Sequence, residues 1–254
     1  MYINNTIIWK IWYWYVSNVD KNNEITLMNY GYSGNNSMPL EGENDLMNKY
    51  GLQLYDHIAN AVKLDGLNIL EIGSGRGGGA FYISNFLNPK SYIGMDICGK
   101  AIKFCDKYYK KNNLSFMKGD ALNLPFKNNH FDVVINVESS HSYQNIDKFF
   151  REVYQVLKPD GYFLFADFRY KKDFALLKNQ IKNSKIKIIK EENITDNVIK
   201  ALNLDNSRKV NLIKKLVPKL LYKPAQEFAG AKGSEVYNSF LNRDREYFSF
   251  ILKK

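Results

Sequence analysis

An acidic residue followed by alternating glycines is the chemically most distinctive feature of this chain. Residues 67–79 read LNILEIGSGRGGG, so Glu71 lies near the end of an apolar run and Gly73, Gly75 and Gly77 follow at every second position. Glycine lets the backbone turn sharply and approach a ligand closely. A strand, a glycine turn and a helix in this order predict the nucleotide-binding crevice of a doubly wound α/β sheet.

The spacing of the glycines indicates which nucleotide the crevice takes. A dinucleotide site reads G-x-G-x-x-G, because the pyrophosphate sits against the helix N-terminus. This chain instead reads E-x-G-x-G-x-G, with Glu71 before the turn. A carboxylate suits a ligand with a positive group, such as the ammonium and sulfonium of S-adenosylmethionine (SAM). A nicotinamide-dependent oxidoreductase is disfavoured, since the loop lacks the pyrophosphate spacing.

At this point the chain resembles the class I SAM-dependent methyltransferases. Asp96 ends the next apolar strand, where the family hydrogen-bonds both ribose hydroxyls, and Asp120 lies where the family contacts the adenine amino group. The alternative is a plain tight turn with solvated acids. The resemblance implies SAM as cofactor and these binding residues: Glu71, Gly73, Ser74, Gly75, Gly77, Asp96, Ile97, Asp120, Ala121 and Asn136.

Two further strands deliver candidate catalytic side chains to the same edge. The predicted strand at 131–138 is followed by His141, and the strand at 161–168 carries Asp167 near its end. Imidazole has a pKa near neutrality, and a neighbouring carboxylate fixes its tautomer and stabilises its cation. We expect His141 to be a general base and Asp167 its orienting partner. The alternatives are a helix cap or packing residue for His141 and a solvated strand end for Asp167.

Glu138, at the end of the same strand as His141, has several interpretations. It could contact the cofactor, support the acceptor or help His141 and Asp167 bind a divalent ion. We expect no metal, because nothing else in the sequence points to one. Methyl transfer needs little beyond an acceptor held about 3 Å from the activated methyl group and a way to remove its proton.

Longer strings narrow the resemblance. Residues 28–32 (MNYGY), 52–55 (LQLY), 135–141 (INVESSH) and 161–169 (GYFLFADFR) are similar to the phthiotriolone dimycocerosate O-methyltransferases and to natural-product sugar O-methyltransferases. The similarity covers about residues 28–170 and implies a hydroxyl acceptor, on a long lipid in the first group. It also implies that Tyr30 closes over the cofactor and that Gln53 helps to bind it. Ordinary helix or loop packing is the alternative for both.

The pattern of apolar segments predicts the elements that position these residues. The predicted strands are 67–73, 91–97, 114–118, 131–138, 161–168, 185–191 and 247–252, with helices at 78–87, 99–111, 145–157 and 171–182. Residues 158–161 read as a turn, and 195–240 as helices broken at Pro218 and Pro224. Such alternation predicts an α/β doubly wound, mostly parallel, seven-stranded sheet. The last strand is expected to be its antiparallel edge.

The expected organisation is an aromatic helical lid at 1–50 and a methyltransferase domain at 51–254, with a helical cap inserted at about 195–240. Residues 7–16 read IIWKIWYWYV, which is too short to span a bilayer. They could be an interfacial helix, or a helix packed on this domain or on a partner subunit. Peripheral membrane contact and a homo-oligomer through this helix are therefore left open.

The amino-acid composition indicates in which cellular compartment the protein works and which classes of partner it could bind. The 254 residues include two cysteines and three histidines, so a structural zinc site is not expected and the reducing cytoplasm is the expected location. The net charge of +10 comes entirely from residues 171–254, since residues 1–170 hold 17 basic and 17 acidic residues. This could attract a phosphate, a carboxylate or an anionic membrane, or be a solvated lysine face. No nucleic-acid motif is present, so no nucleic-acid partner is expected.

The predicted function is O-methylation of a hydroxyl on a hydrophobic small-molecule acceptor, a natural product or lipid. One alternative is C-methylation of a quinone- or prenyl-type acceptor on the same fold, where removal of a proton by His141 matters less. The other is a SAM-binding scaffold without catalysis.

Overall fold

One seven-stranded sheet organises the molecule in a computed structural model that describes residues 15–16, 18–20, 23–34 and 37–254. The strand order is β3-β2-β1-β4-β5-β7-β6; β1 to β5 run parallel, and β7 is antiparallel to both β5 and β6. This confirms the predicted doubly wound, mostly parallel sheet. The strands are β1 Asn68–Ile72, β2 Ser91–Asp96, β3 Leu114–Lys118, β4 Phe131–Val137, β5 Leu157–Tyr170, β6 Lys187–Asn193 and β7 Arg245–Lys253.

Helices cover both faces of the sheet. The described helices are α1 Gly42–Met47, α2 Lys49–Ala59, α3 Gly78–Phe86, α4 Gly99–Tyr108, α5 Ile146–Val156, α6 Phe174–Asn183, α7 Thr195–Leu216, α8 Tyr222–Ala229 and α9 Glu235–Leu241. Two apolar cores result, one on each face. In β5, Leu164 and Ala166 point into the first core, and Phe163 and Phe165 into the second. A strand buried on both faces must be continuously apolar, as β5 is.

Helix starts follow from local sequence. Gly77 takes a left-handed φ of 76° and leads directly into α3, a backbone conformation that glycine adopts without strain. Asn145 caps α5 by accepting a hydrogen bond from the Lys148 amide at 2.9 Å. His141 is therefore not the cap of α5, which was one alternative for it; it lies in a short 3-10 turn, Ser140–Ser142.

The prediction that the last strand is an edge strand is wrong. β7 lies between β5 and β6, and β6 forms the edge. The side chains of β6 are almost all exposed, and its sequence KIIKEEN is largely charged, whereas β7 buries Tyr247, Phe250 and Leu252. Charged residues protect a sheet edge from further pairing, so β6 suits that position.

Two turn predictions also differ from the structure. Residues 158–161, predicted as a turn, lie within β5 as a bulge, because Phe131 pairs with Leu157 whereas Val133 pairs with Tyr162. Pro218 breaks the cap as predicted, just after α7, but Pro224 lies in the first turn of α8. A proline is tolerated there because the first-turn amides have no intrahelical acceptor.

The cap consists of α7, α8 and α9, between β6 and β7, as predicted. Within the described part of the chain, every helix is too short or too polar to cross a membrane. The expected aromatic helix at 7–16 lies mostly in residues 1–14, which are outside the described residues, as does the oligomer contact expected from it.

Candidate active site

A wide cleft opens where β1, β2, β3 and β4 end. This main cleft has a volume of about 570 Å³ and is bordered by Gly73, Asp96, Ile97, Asp120 and Ala121, together with Ser139 and Tyr143. Five predicted cofactor residues from three separate segments therefore meet in one place. Parallel strands bring them together, because their carboxyl ends share one edge of the sheet.

The glycine loop, residues 73–77, is held in place by hydrogen bonds to the end of β2 and by close packing against the loop after β4. The amides of Gly73 and Ser74 both donate to the Met95 carbonyl, at 2.8 and 3.1 Å. Gly73 has a φ of 79°, and a Cβ at this position would collide with the Ser139 side chain. A side chain at Gly73 would therefore be strained and would also push the β4 loop away from the cleft.

Asp96 joins the glycine loop to the cleft wall. Its Oδ2 accepts from the Gly75 amide at 2.9 Å and its Oδ1 from the Cys98 amide at 2.7 Å. Burial raises the pKa of Asp96, and the two backbone amides oppose that rise. Each carboxylate oxygen has a further lone pair, so Asp96 can accept from a vicinal diol while its orientation stays fixed.

The opposite part of the cleft suits a flat heterocycle. Ile97 exposes 51 % of its surface, and Ala121 borders the same space. Asp120 is exposed, and its Oδ1 accepts from the Leu122 amide at 2.9 Å. An acid beside two apolar side chains can hold an amino-substituted ring, the apolar residues packing on its face and the acid accepting from its amino group.

Glu71 lies behind the glycine loop and is completely buried. It accepts hydrogen bonds from Tyr55 Oη at 2.7 Å and Tyr92 Oη at 2.9 Å. Burial raises the pKa of Glu71 to about 7, against the opposing effect of these hydroxyls. Tyr55 also borders a smaller space next to Gly73–Arg76, here called the loop cavity. Tyr55 therefore links the buried Glu71 to this space.

The loop cavity is covered by a segment of which the sequence assigned only Tyr30 to the site. Residues 23–30, here called the strap, cross the glycine loop, and residues 26–29 line the loop cavity together with Ser74 and Arg76. The Gly78 amide donates to the Thr26 carbonyl at 3.3 Å. Periodicity gives no signal for residues 23–29, because the strap has neither a helix nor a strand pattern; the resemblance pointed only to its end, at Tyr30.

A buried ion pair anchors the strap. Arg76 Nη2 lies 3.0 Å from Asp20 Oδ2, and both side chains are almost fully buried. Asp20 also accepts from the amides of Glu24 and Ile25, at 3.0 and 2.9 Å. The Arg76 guanidinium lies 3.8 Å from the centre of the Phe104 ring. The charged residue within the glycine motif thus fixes the chain segment that covers it.

Two residues that border the loop cavity have buried side-chain oxygens to which none of the described residues donates, Asn29 Oδ1 and Ser74 Oγ. Asn136 Oδ1, on β4, and Gln53 Oε1, on α2, also lack a donor. The Asn136 amide nitrogen meanwhile donates to the Ile72 carbonyl at 2.7 Å. Because an ammonium group supplies three donors and no acceptor, these acceptors fit the amino-acid end of SAM. The residues present therefore suit the cofactor that the sequence predicts.

His141 and Asp167 meet beside the main cleft. His141 Nδ1 lies 2.8 Å from Asp167 Oδ1, and the backbone amide of His141 donates to Asp167 Oδ2 at 2.9 Å. The imidazole ring packs on Phe168, with ring centres 4.4 Å apart. Asp167 is therefore a buried partner of His141 and not a solvated strand end.

Ser140 and Arg169, which the sequence analysis did not single out, complete the surroundings of Asp167. Ser140 Oγ donates to Asp167 Oδ2 at 2.6 Å, and Arg169 Nη1 lies 3.1 Å from the same oxygen. Burial would raise the pKa of Asp167, but His141 and Arg169 outweigh it and hold the pKa well below its usual range. Asp167 is thus an anion at any working pH.

Glu138 lies between the loop cavity and the space next to His141, here called the histidine pocket, and borders both. Its backbone has a left-handed φ of 49°, a conformation that a non-glycine residue adopts at a cost of about 1 kcal/mol or more. Its Oε2 accepts from the Tyr30 amide at 2.9 Å and from Tyr247 Oη at 3.0 Å. Burial raises the pKa of Glu138 to about 8, with the charge of Asp167 adding to the rise.

Tyr30 and Gln53 were both expected near the cofactor. Tyr30 is buried with its ring 5.4 Å from Phe168 and 5.6 Å from Phe240, and it borders the histidine pocket. It thus lies on the His141 side of Glu138. Gln53 lies on α2 with its side chain almost fully buried.

A third space, here called the apolar cavity, lies between the strap and the cap. Its volume is about 110 Å³, and its lining is mainly aliphatic and aromatic, from Val16, Val19 and Leu27 on one side and Leu212, Ile213 and Leu216 on the other. It shares Met28, Tyr30 and Phe228 with the histidine pocket. An apolar molecule in this cavity would therefore have one end next to His141.

Metal ligands are not clustered in the described residues: no three His, Cys, Asp or Glu side chains there form a group that could hold an ion.

The sequence is similar to a methyltransferase family and to individual named methyltransferases. The family described as "Methyltransferase domain" matches residues 70–165. The phthiotriol/phenolphthiotriol dimycocerosates methyltransferase of Mycobacterium tuberculosis (strain ATCC 25618 / H37Rv) is 34% identical over 231 residues, covering 90% of this chain and 85% of the relative. The fatty-acid O-methyltransferase of Mycolicibacterium smegmatis (strain ATCC 700084 / mc(2)155) is 31% identical over 246 residues, covering 96% and 89%.

Among solved structures, the StiE O-MT (residues 942–1257) superposes with a TM-score of 0.68 and 16% identity, covering 96% of this chain and 90% of that one. At this identity the likeness shows the fold alone.

Proposed function

Because this chain belongs to the SAM-dependent methyltransferases, we propose that it methylates a hydroxyl of a hydrophobic acceptor, with His141 as the general base. The observation that carries the proposal is the 2.8 Å contact between His141 Nδ1 and Asp167 Oδ1, at the histidine pocket, which shares Met28, Tyr30 and Phe228 with the apolar cavity. A scaffold that bound SAM without catalysis would have no need of a histidine oriented in this way.

The cofactor, when bound, supplies a methyl group on a positively charged sulfur that leaves as a neutral thioether. We assign the ribose hydroxyls to Asp96, the adenine amino group to Asp120 and the purine faces to Ile97 and Ala121. The amino-acid end lies at the glycine loop, where Gly73, Gly75 and Gly77 allow its close approach. Its ammonium group is held by the unpaired oxygens of Asn29, Gln53, Ser74 and Asn136, with the Glu71–Tyr55 pair behind them.

His141 and Asp167 handle the proton. The anionic Asp167 holds the proton of His141 on Nδ1, which leaves Nε2 as the basic atom on the pocket side of the ring. Nε2 accepts the hydroxyl proton as the acceptor oxygen attacks the methyl carbon, and Asp167 stabilises the imidazolium that forms. Arg169 and Ser140 keep Asp167 ionised and in place.

The acceptor occupies the apolar cavity, with its hydroxyl in the histidine pocket. The cavity lining supports an aliphatic molecule, and both curated relatives carry names that place their substrates among lipids. We propose that the helical insertion at about 195–240 selects the acceptor, since α7 and α8 supply one wall of the cavity. Tyr30 closes the junction between acceptor and cofactor.

The proposal is tested with methyl-labelled SAM and a lipid extract of the source cell. We expect His141→Ala to lower kcat by a factor of about 100 to 10,000 while the Kd for S-adenosylhomocysteine stays unchanged. His130→Ala is the matched control, because His130 is an exposed histidine outside the site, and it should leave both values unchanged. Equal labelling by the His141→Ala variant and the wild type would remove the base assignment.

A further inference from the structure

The end of the cap where α7 turns into α8 is unusually basic. Residues 207–226 contain six basic residues and no acidic one. Four of the six, Lys214, Lys215, Lys219 and Lys223, are exposed and lie at or next to the turn. Residues 214–223 are here called the cap tip. Lys215 pairs with Glu24 on the strap, at 2.8 Å, so the cap tip and the strap meet here.

The same turn carries large apolar side chains between these lysines. Leu220 exposes 91 % of its surface, the highest exposure among the large hydrophobic residues described, and Leu221 exposes 37 %. Both lie in a short 3-10 helix, Lys219–Leu221, that follows Pro218. Contact with water does not stabilise these leucine side chains, so their transfer to an apolar environment would lower the free energy.

The apolar cavity begins directly behind this turn. Leu216 and Val217 precede the turn and Ala225 follows it, and all three line the cavity. Tyr15 Oη donates to the Leu216 carbonyl at 2.9 Å, which joins the chain before the strap to the same place. A molecule that approaches the cap tip from an apolar phase would therefore meet the cavity that leads to His141.

We propose that the cap tip is a docking surface for an anionic lipid bilayer, with Leu220 and Leu221 inserted among the acyl chains and the lysines at the lipid phosphates. Charge complementarity and the exposed leucines together select this partner. A nucleic acid would meet the lysines but would leave Leu220 in water, and Tyr222, the aromatic residue of the cap tip, packs against Ile213 and Ala225 instead of offering a face to bases. Lysines that flank inserted apolar residues are the arrangement that peripheral membrane proteins use.

Docking orients the enzyme relative to its acceptor. With the cap tip on the bilayer, the end of the apolar cavity next to the turn faces the membrane, so a lipid acceptor can move along α7 to the histidine pocket without crossing water. This route rests on the proposed function, whereas the docking itself does not depend on methyl transfer.

Vesicle binding of the full chain tests the docking. Co-sedimentation is measured with vesicles of phosphatidylcholine containing phosphatidylglycerol and with vesicles of phosphatidylcholine alone. We expect binding to the anionic vesicles, a loss of about 100-fold in the partition coefficient for Lys214→Gln/Lys219→Gln/Lys223→Gln, and a loss of about tenfold for Leu220→Ser. Binding should weaken as the salt concentration rises.

Matched controls separate docking from general charge and folding effects. Lys103→Gln/Lys107→Gln/Lys110→Gln removes three exposed lysines around α4, and Leu176→Ser removes an exposed leucine of α6. Both controls should bind vesicles like the wild type. The proposal is overturned if the wild type does not bind anionic vesicles, if both lysine variants lose binding equally, or if Leu220→Ser binds as tightly as the wild type, which would indicate a polyanion site and not a bilayer site.

Methyl transfer to a detergent-solubilised acceptor is measured on the same proteins and keeps the two proposals apart. The cap-tip variants should retain that activity, while the His141→Ala variant should lose it and still bind vesicles. Thermal unfolding of each variant confirms that lost binding is not lost folding.

Discussion

At the scale of single residues, the pair of His141 and Asp167 determines what chemistry the site can perform. Asp167 accepts from the His141 backbone and from Ser140, and it contacts both the imidazole and Arg169. Its orientation is therefore fixed before any substrate arrives. A carboxylate held in this way can set the tautomer of the imidazole without taking its proton.

Replacing Asp167 with Asn tests this role. The amide keeps the shape but cannot keep the charge, and its NH₂ group would face the donors that now point at the carboxylate. We expect kcat to fall at least 100-fold with little change in the Kd for S-adenosylhomocysteine, as measured by steady-state kinetics and calorimetry. A variant with wild-type kcat would show that Asp167 does not orient the base.

Glu71 makes the stability of the protein depend on pH. In the folded state burial raises its pKa from 4.5 to about 7, so the native state holds a proton that the unfolded chain releases near pH 4.5. The native state then binds more protons than the unfolded state between these values, and the free energy of unfolding falls as the pH rises. Glu138, with a pKa of about 8, acts in the same direction.

We therefore expect Glu71→Gln to reduce this dependence. Between pH 5 and 7 the advantage of the wild type over the variant should decline by about 1.4 kcal/mol for each pH unit. Urea unfolding of the two proteins, without cofactor, at three pH values in this interval measures it. Parallel curves for the two proteins would mean that Glu71 is ionised in the native state.

How much of the site the sequence predicts depends on how local each signal is. Asp96, Asp120, His141 and Asp167 each lie at or just after a strand end, and strand ends converge in a parallel sheet, so their meeting could be foreseen. Ser140, although its neighbour His141 was singled out, was not foreseen as a ligand of Asp167. That contact depends on a 3-10 turn whose geometry no periodicity reveals.

At the scale of elements, the strap is the feature that turns an open sheet edge into an enclosed site. Residues 26–29 line the loop cavity. The strap is held by a buried ion pair, Asp20–Arg76, and by a more exposed one, Glu24–Lys215. Removing one member of a buried ion pair leaves the other charge unpaired in the interior, at a cost of about 3–5 kcal/mol.

Asp20→Ala should therefore loosen the strap. We expect a lower free energy of unfolding, by about 3 kcal/mol or more, and faster proteolytic cleavage within residues 15–30. Asp65→Ala removes an exposed aspartate in the loop before β1, away from the strap, and serves as the control. Equal protease sensitivity in wild type and Asp20→Ala would show that the ion pair does not hold the strap.

Sheet order illustrates what the sequence leaves undetermined between elements. Apolar patterning located all seven strands, and charged residues in β6 could have marked it as the edge. The expectation that the chain's last strand is the edge failed because chain order does not determine neighbour order. Antiparallel pairing lets β7 insert between β5 and β6. Local sequence patterns likewise cannot predict the contacts between the strap and α7, because these two segments lie far apart in the chain.

At the scale of the whole molecule, four spaces lie along one path. The main cleft and the loop cavity share Gly73, the loop cavity and the histidine pocket share Met28 and Glu138, and the histidine pocket opens to the apolar cavity. A polar nucleoside site therefore meets an apolar acceptor site at one histidine. Four exposed lysines of the cap tip lie at the apolar end of this path.

The most direct measurement follows the methyl group to its final atom. SAM carrying a ¹³C-labelled methyl group is incubated with the wild-type protein and a lipid extract of the source cell, and the product is examined by two-dimensional NMR. We predict a labelled methyl bound to oxygen on an aliphatic molecule, and no such signal with His141→Ala. A labelled methyl bound to carbon or nitrogen, or an oxygen-bound signal of equal strength from the His141→Ala variant, would contradict the account.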